Sequence, residues 1–94
     1  MREPLDDTQL QSALKELPGW RHADDALHQR FEFADFREAV AFIVRVAFEA
    51  EQRDHHPELT NVYNRVEVSL TTHDAGNRVT AKDVELAEAI SRIA

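Results

Sequence analysis

The stretch from Asp35 to Asp54 constrains this chain most, because it reads as one long helix with more apolar surface than a single sheet usually covers. Asp35 and Glu38 have capping-box spacing, with Asp in the place of Ser or Thr. Phe36, Ala39, Val40, Ile43, Ala47 and Ala50 recur at helical intervals and predict one apolar stripe. Phe42, Val46 and Phe48 widen that stripe, leaving Arg37, Glu38, Arg45, Glu49 and Gln52 as the exposed-looking positions. Either a second element of the chain or a second copy has to cover the extra face. At this length a chain buries only about 60–65% of its unfolded surface. In so short a chain, a contact with a second copy through the 35–54 helix is expected ahead of cover by another element.

Pro57 cannot continue that helix, and it disfavours helical dihedrals at His56. Leu59 to Tyr63 reads as a short extended piece and Asn64 as a bend. Arg65 to Thr71 alternates, so Val66, Val68 and Leu70 face a core while Arg65, Glu67, Ser69 and Thr71 face away. If this strand runs on, period two puts His73 on the outward side. Before the long helix, Asp7 or Thr8 caps a short helix through Leu14, and Pro18-Gly19 ends it. Trp20 onward reads as turn or short strand, and Asp24-Asp25 is a turn signal. Leu27, Phe31 and Phe33 then share one side of a half-buried strand, with His28, Arg30 and Glu32 on the other. After the turn residues Asp74 to Asn77, Thr80 and Asp83 start the last helix as N-cap and N3. Val79 and Val84 have hydrophobic-staple spacing, and Val84, Ala87, Ile90 and Ala94 form its stripe, with Leu86 and Ile93 at the margins. The order helix, strand, strand, helix, strand, strand, helix predicts an α+β fold: an antiparallel sheet with helices on one face, in one domain spanning 1–94.

Composition removes several functional classes. Eighteen acidic against 11 basic residues give a formal charge of −7, and the basic residues are scattered singly. A surface that tracks nucleic-acid phosphates needs clustered Lys and Arg, so no nucleic-acid partner is expected. The chain has no cysteine, which removes disulfides and thiolate chemistry. Its only glycines, Gly19 and Gly76, leave no Gly-rich phosphate loop. Met1-Arg2-Glu3-Pro4 leads into no apolar run, and Ala39–Ala50 is too short and too charged to span a bilayer. A cytoplasmic protein without a membrane partner is expected.

Chemistry concentrates in Glu51-Gln52-Arg53-Asp54-His55-His56-Pro57-Glu58, followed by Tyr63 and by His73. Three of the five histidines fall here beside carboxylates, a set suited to proton transfer near neutral pH. Structural roles compete for each residue. Adjacent side chains at a helix end point apart, so His55 can be a satisfied, part-buried histidine, His56 a surface one, and His73 a turn support. Asp83 is accounted for by its helix start. Glu51 and Asp54 can be surface acids, although acids at a helix C-terminus oppose its dipole and favour a local partner such as His55 or Arg53. Trp20 fits a core and Tyr63 fits support of a site better than chemistry. Adjacent histidines are not the spacing that converges on zinc. None of Ser12, Ser69 and Ser91 lies on a strand-to-helix elbow. Acid–base work by imidazoles without a cofactor is what remains.

The run Glu51-x3-His55-His56-Pro57-x5-Tyr63-x9-His73-x9-Asp83 resembles the signature of the pterin-4a-carbinolamine dehydratases. Pro57-Glu58-Leu59, Asn61-Val62-Tyr63-Asn64, Leu70-Thr71-Thr72-His73 and Thr80-x2-Asp83-x2-Leu86-Ala87 match the family's wording, and the likeness begins at Leu17-x-Gly19-Trp20. Leu59, where many members carry an aromatic residue, and Gly76-Asn77-Arg78-Val79 depart from it, in ways that bear on pocket shape and loop length. The resemblance implies a four-stranded antiparallel sheet with helices on one side, and dimers or tetramers joined through the long helices. It implies a lyase that dehydrates 4a-hydroxytetrahydropterin to quinonoid dihydropterin, with no metal or organic cofactor. It makes His55 and His73 the acid–base pair, His56 an orienting or assisting group, and Glu51, Asp54, Trp20 and Tyr63 candidates for holding substrate or imidazoles. Two rival readings are a non-catalytic homo-oligomeric interaction module and a dehydratase acting on another pterin, such as one in molybdopterin metabolism.

Overall fold

Two hairpins, three α-helices and a short 3-10 turn make up the described residues. The computed structural model describes residues 3–94; Met1 and Arg2, at the start of the N-terminal stretch without an apolar run, lie outside the described residues. In order, the elements are helix α1 (Asp7–Lys15), strands β1 (Arg21–Ala23) and β2 (Ala26–Glu32), helix α2 (Phe36–Arg53), strands β3 (Glu58–Val62) and β4 (Arg65–Leu70), a 3-10 turn (His73–Ala75) and helix α3 (Ala81–Ile93). The strands form one antiparallel sheet in the order β1-β2-β4-β3, and the three helices pack on one of its faces.

Local chemistry accounts for the turns. Asp24 and Asp25 both have positive φ, 52° and 59°, as a two-residue hairpin of the primed type requires, and Asp tolerates that region. The β3–β4 hairpin closes through Tyr63-Asn64 with Tyr63 at φ 56°. The Asn64 side-chain amide donates to the Phe33 carbonyl and the Phe33 N–H donates to the Asn64 carbonyl, both at 2.9 Å, which ties this hairpin tip to the end of β2. Gly19 sits at φ +89°, and a Cβ there would lie 2.0 Å from the Gln29 side-chain oxygen. Gly19 thus serves both the backbone reversal and the seating of Gln29.

The core lies between the sheet and the helices. Val66, Val68 and Leu70 on β4 are fully buried, and Leu27, Phe31 and Leu59 stand beside them on the neighbouring strands by register. From α2, the Phe42 ring lies 4.8 Å from Phe31 and 4.9 Å from Phe33, centroid to centroid. The other sheet face carries His28, Arg30, Glu67 and Ser69, with Arg30 paired to Glu67 at 3.3 Å.

Several local expectations are corrected. Asp6 caps α1, in a capping box with Gln9, because its side chain accepts from the Gln9 N–H at 2.8 Å while the Gln9 side chain accepts from the Asp6 N–H at 2.9 Å. On α2 the buried line is Ala39, Phe42, Val46 and Ala50, with Ile43 partly buried. Phe36, Val40 and Ala47 of the predicted stripe are exposed, whereas two of its supposed flankers, Phe42 and Val46, are the core. Both lines satisfy the helical period, and only docking on the sheet chooses between them. Asp35 accepts from the Glu38 N–H, but Glu38 accepts from the Ala34 N–H and so leaves the box half-made. Ala94 follows α3 and is exposed, while Leu86, Ala87, Ala89 and Ile90 within the helix are buried. Among the described residues, no helix is long and apolar enough to cross a membrane.

Replacing Phe42 by Ala removes the ring that meets both Phe31 and Phe33, and is expected to cost about 3–5 kcal/mol of stability. Urea denaturation followed by circular dichroism would show this as a lower midpoint; an unchanged midpoint would contradict a docking of α2 through this ring.

Candidate active site

The end of α2 is built to turn two adjacent histidines in opposite directions. Asp54 takes the left-handed conformation (φ 50°, ψ 44°), and the His55 N–H reaches back to the Ala50 carbonyl at 3.1 Å. This reversal satisfies helix-end carbonyls and breaks the helical direction before Pro57. His55 is buried, while the His56 side chain is 59% exposed.

Buried His55 meets Asp83 on the first turn of α3, with Nε2 and Oδ1 2.6 Å apart. Asp83 is fully buried, and its other oxygen accepts from the Thr72 hydroxyl at 2.7 Å and from the Thr80 N–H at 2.9 Å. The Thr72 and Thr80 hydroxyls are 2.7 Å apart. With Thr72 donating to the carboxylate, the Thr80 hydroxyl donates to Thr72 and accepts from the Lys82 N–H at 3.2 Å. Asp83 is a carboxylate acceptor, so His55 presents Nε2–H to it. The neutral ring then has a bare Nδ1, because a carboxylate on one imidazole nitrogen sets the tautomer of the other. No buried side-chain nitrogen or oxygen among the described residues lacks a partner, and Nδ1 makes no hydrogen bond with them, so solvent reaches Nδ1.

His55, His56 and His73 line one open cleft of about 670 Å³, with Asp54, Pro57 and Glu58 also on its wall. His56 Nε2 lies 2.7 Å from Glu51 Oε1, an exposed pair that bridges the α2 terminus. His73 arrives by a route other than the expected one. Strand β4 ends at Leu70, Thr72 bridges to Arg78, and His73 opens the 3-10 turn, exposed at the cleft. From the sheet, His28 and Ser69 complete the floor, and from α3 Lys82 brings a cation.

The predicted residues thus divide. The three histidines and Asp54 share the cleft, and Glu51 holds His56. Trp20 does not reach the cleft. It is buried in the core, edge-on to Phe31, and donates to the Ser91 hydroxyl at 2.8 Å. Tyr63 does not reach it either; it is 71% exposed at the β3–β4 tip. Sequence reasoning gave Asp83 a helix-capping role alone, yet one carboxylate performs that and the orientation of His55. Its shared spacing with the histidines was the available signal. It also left His28 and Lys82 without a place in the site. Among the described residues, no group of three or more His, Asp or Glu has the arrangement to hold a metal ion.

A buried carboxylate stands behind one imidazole and further imidazoles share the open cleft, an arrangement suited to acid–base chemistry, on an α+β fold. The family model described as pterin 4 alpha carbinolamine dehydratase matches residues 3–93. A relative from Opitutus terrae, classed among those dehydratases, is 55% identical over 95% of this chain and 92% of its own length. One from Rhodopseudomonas palustris (strain BisB18), classed likewise, is 53% identical over 100% of this chain and 94% of its own. A solved structure from Brucella melitensis, described as a transcriptional coactivator/pterin dehydratase, superposes with a TM-score of 0.93 at 40% identity, covering 98% of this chain and 99% of that one. A pterin dehydratase-like protein identified as a RuBisCO assembly factor in the alpha-carboxysome has a TM-score of 0.67 at 19% identity, over 80% of this chain and 88% of that one, and shares the fold alone. The chain belongs to the pterin-4a-carbinolamine dehydratase family, and its function is of the pterin dehydratase-like lyase kind.

Replacing Asp83 by Ala strips three donors of their buried acceptor, and is expected to cost about 1–3 kcal/mol of stability or more. In the neutral ring, nitrogen-15 shifts of His55 should report the Nε2–H tautomer in the unaltered protein. A mixture of tautomers is expected in the variant. The same mixture in both proteins would remove the orienting role.

Proposed function

We propose that this protein dehydrates a 4a-hydroxytetrahydropterin to quinonoid dihydropterin and water, with His55 and His73 as the acid–base pair. The C4a–O bond breaks with its electrons going to oxygen, which takes a proton from one imidazole and leaves as water. The N5–H proton goes to the other imidazole, and its bonding pair closes the C4a–N5 double bond. The reaction is redox-neutral, and the proton gained by one ring matches the proton lost by the other. The observation that carries this reading is the His55–Asp83 contact at 2.6 Å, because it leaves Nδ1 as the nitrogen that solvent and substrate can reach. Glu51 holds His56 at the cleft mouth, which suits His56 to orienting the substrate. Asp54 and Glu58 supply acceptors for the donor-rich edge of the heterocycle.

Each positioned proton-transfer group contributes about 10²–10⁴-fold. His55→Ala and His73→Ala are expected to lose rate on that scale, and the double variant to approach the uncatalysed rate. Stopped-flow absorbance on freshly generated 4a-hydroxypterin, with the uncatalysed dehydration subtracted, measures this. Full turnover in a folded double variant would reject the assignment.

The same reading includes a homo-oligomer formed through α2. Phe36, Val40, Val44 and Phe48 recur every fourth residue and are 51%, 37%, 48% and 70% exposed, which makes a continuous apolar row on the helix face turned from the core. Phe48→Glu is expected to shift sedimentation towards the monomer while the far-ultraviolet spectrum stays native. A wild-type chain that sediments as a monomer at high concentration would overturn this contact.

A further inference from the structure

The open sheet face feeds one more histidine into the cleft, and its hydrogen bonds have only one consistent assignment in the neutral ring. Arg21, His28, Ser69 and Glu58 are register partners in turn, one from each of β1, β2, β4 and β3, so they form a single row across the sheet. Both central members, His28 and Ser69, are half-buried and line the cleft together with Glu58. His28 Nε2 lies 2.9 Å from the Ala23 carbonyl oxygen, and Nδ1 lies 2.8 Å from Ser69 Oγ. A carbonyl only accepts, so Nε2 carries the hydrogen. In the neutral imidazole Nδ1 is then bare, and the Ser69 hydroxyl must donate to it. The Ser69 proton is thereby committed within the protein, and what its oxygen offers to the cleft is lone pairs.

We infer that His28 is a positioning residue that locks Ser69 as a hydrogen-bond acceptor for the amino-pyrimidine edge of the bound heterocycle. This rests on the proposed pterin reading and adds to it a selection of ring edge. Glu58, next to Ser69 in the row, is a second acceptor on the same wall. A ring that presents an amino group to this wall finds two acceptors. A ring with a carbonyl at that position meets lone pairs with lone pairs, and a site with a fixed polarity rejects the mismatched analogue. A serine free to rotate would serve either ring, so the selectivity resides in the His28 contact.

The test is equilibrium binding by fluorescence titration at mildly alkaline pH, using 6-methylpterin and its 2-oxo counterpart 6-methyllumazine, in which the amino donor is replaced by a carbonyl. Wild-type protein is expected to prefer the pterin. Ser69→Ala should weaken pterin binding about 3- to 10-fold, the scale of one neutral hydrogen bond, and leave lumazine binding equal or tighter as the lone-pair mismatch is removed. Ser69→Thr, which keeps the hydroxyl, should retain the preference. His28→Phe should lose it to the same degree as Ser69→Ala, and the double variant should lose no more than either alone. A pterin preference kept in folded His28→Phe overturns the lock; should that variant fail to fold, nitrogen-15 shifts of His28 in the wild-type protein decide the matter, because an Nδ1–H tautomer would free the serine and overturn it. A pterin preference unchanged in Ser69→Ala, or lost in Ser69→Thr, overturns this inference while leaving the pterin reading intact. Wild-type protein that binds neither ring overturns both.

Discussion

One buried carboxylate holds the site together. Asp83 accepts from His55, from Thr72 and from the Thr80 N–H, and these donors come from the segment after α2, the segment after β4 and the N-cap of α3. An unpaired carboxylate at 0% exposure would be costly, so all three segments must arrive together for the charge to be accommodated. The requirement is reciprocal. The capping box that starts α3 needs an acid at N3, and His55 needs an acceptor behind it, and one side chain meets both demands. The first turn of α3 also places that charge at the favourable end of a helix dipole. Fold and chemistry are therefore coupled at this residue: loosening the cap would free the imidazole.

The next constraint lies at the end of α2, where local preferences are set aside. A non-glycine residue in the left-handed region is uncommon, yet Asp54 adopts it, and an acid near a helix C-terminus opposes the dipole. Three contacts of the two adjoining histidines compensate. The His55 N–H closes on the Ala50 carbonyl, His55 turns inward to Asp83, and His56 turns outward to Glu51. Pro57 then commits the chain to β3. Departures from local consistency are expected where a chain serves a site, and this one divides two neighbouring imidazoles between a buried role and an exposed one.

Much of this was legible in the residue order, and the exceptions have physical reasons. Element order, the α3 capping box and the inward face of β4 each come from a short-range pattern, and Thr80, Asp83, Val66, Val68 and Leu70 stand where the pattern puts them. The α2 stripe was not legible, because Phe36-Val40-Val44-Phe48 and Ala39-Phe42-Val46-Ala50 are both helical lines, and the choice depends on the ring contacts with Phe31 and Phe33. The site was legible only through the fixed spacing of histidines and Asp83, since His55 and Asp83 are 28 residues apart and nothing local brings them to 2.6 Å. The substrate-holding roles suggested for Trp20 and Tyr63 had no geometry behind them; within this chain Trp20 lies in the core, as its residue type favoured, and Tyr63 at a hairpin tip. His28 was beyond reach for a further reason. Its alternation gave its face, but its partner Ser69 depends on strand register, 41 residues away.

The two faces of the sheet divide the work of the domain. The helix-covered face is filled by aliphatic and aromatic side chains whose burial drives folding without direction. The open face and its margins carry side chains whose hydrogen bonds fix orientation: Asp83 behind His55, Glu51 beside His56, and the Ala23 carbonyl behind His28. In each case an acceptor occupies one ring nitrogen and thereby defines what the other can do. A cleft with mobile imidazoles would exchange protons with water as readily as with a ligand. Fixing one nitrogen of His55, His56 and His28 defines what the other nitrogen of each offers to the cleft, which is the form of preorganisation these three rings bring to a chain without a thiol.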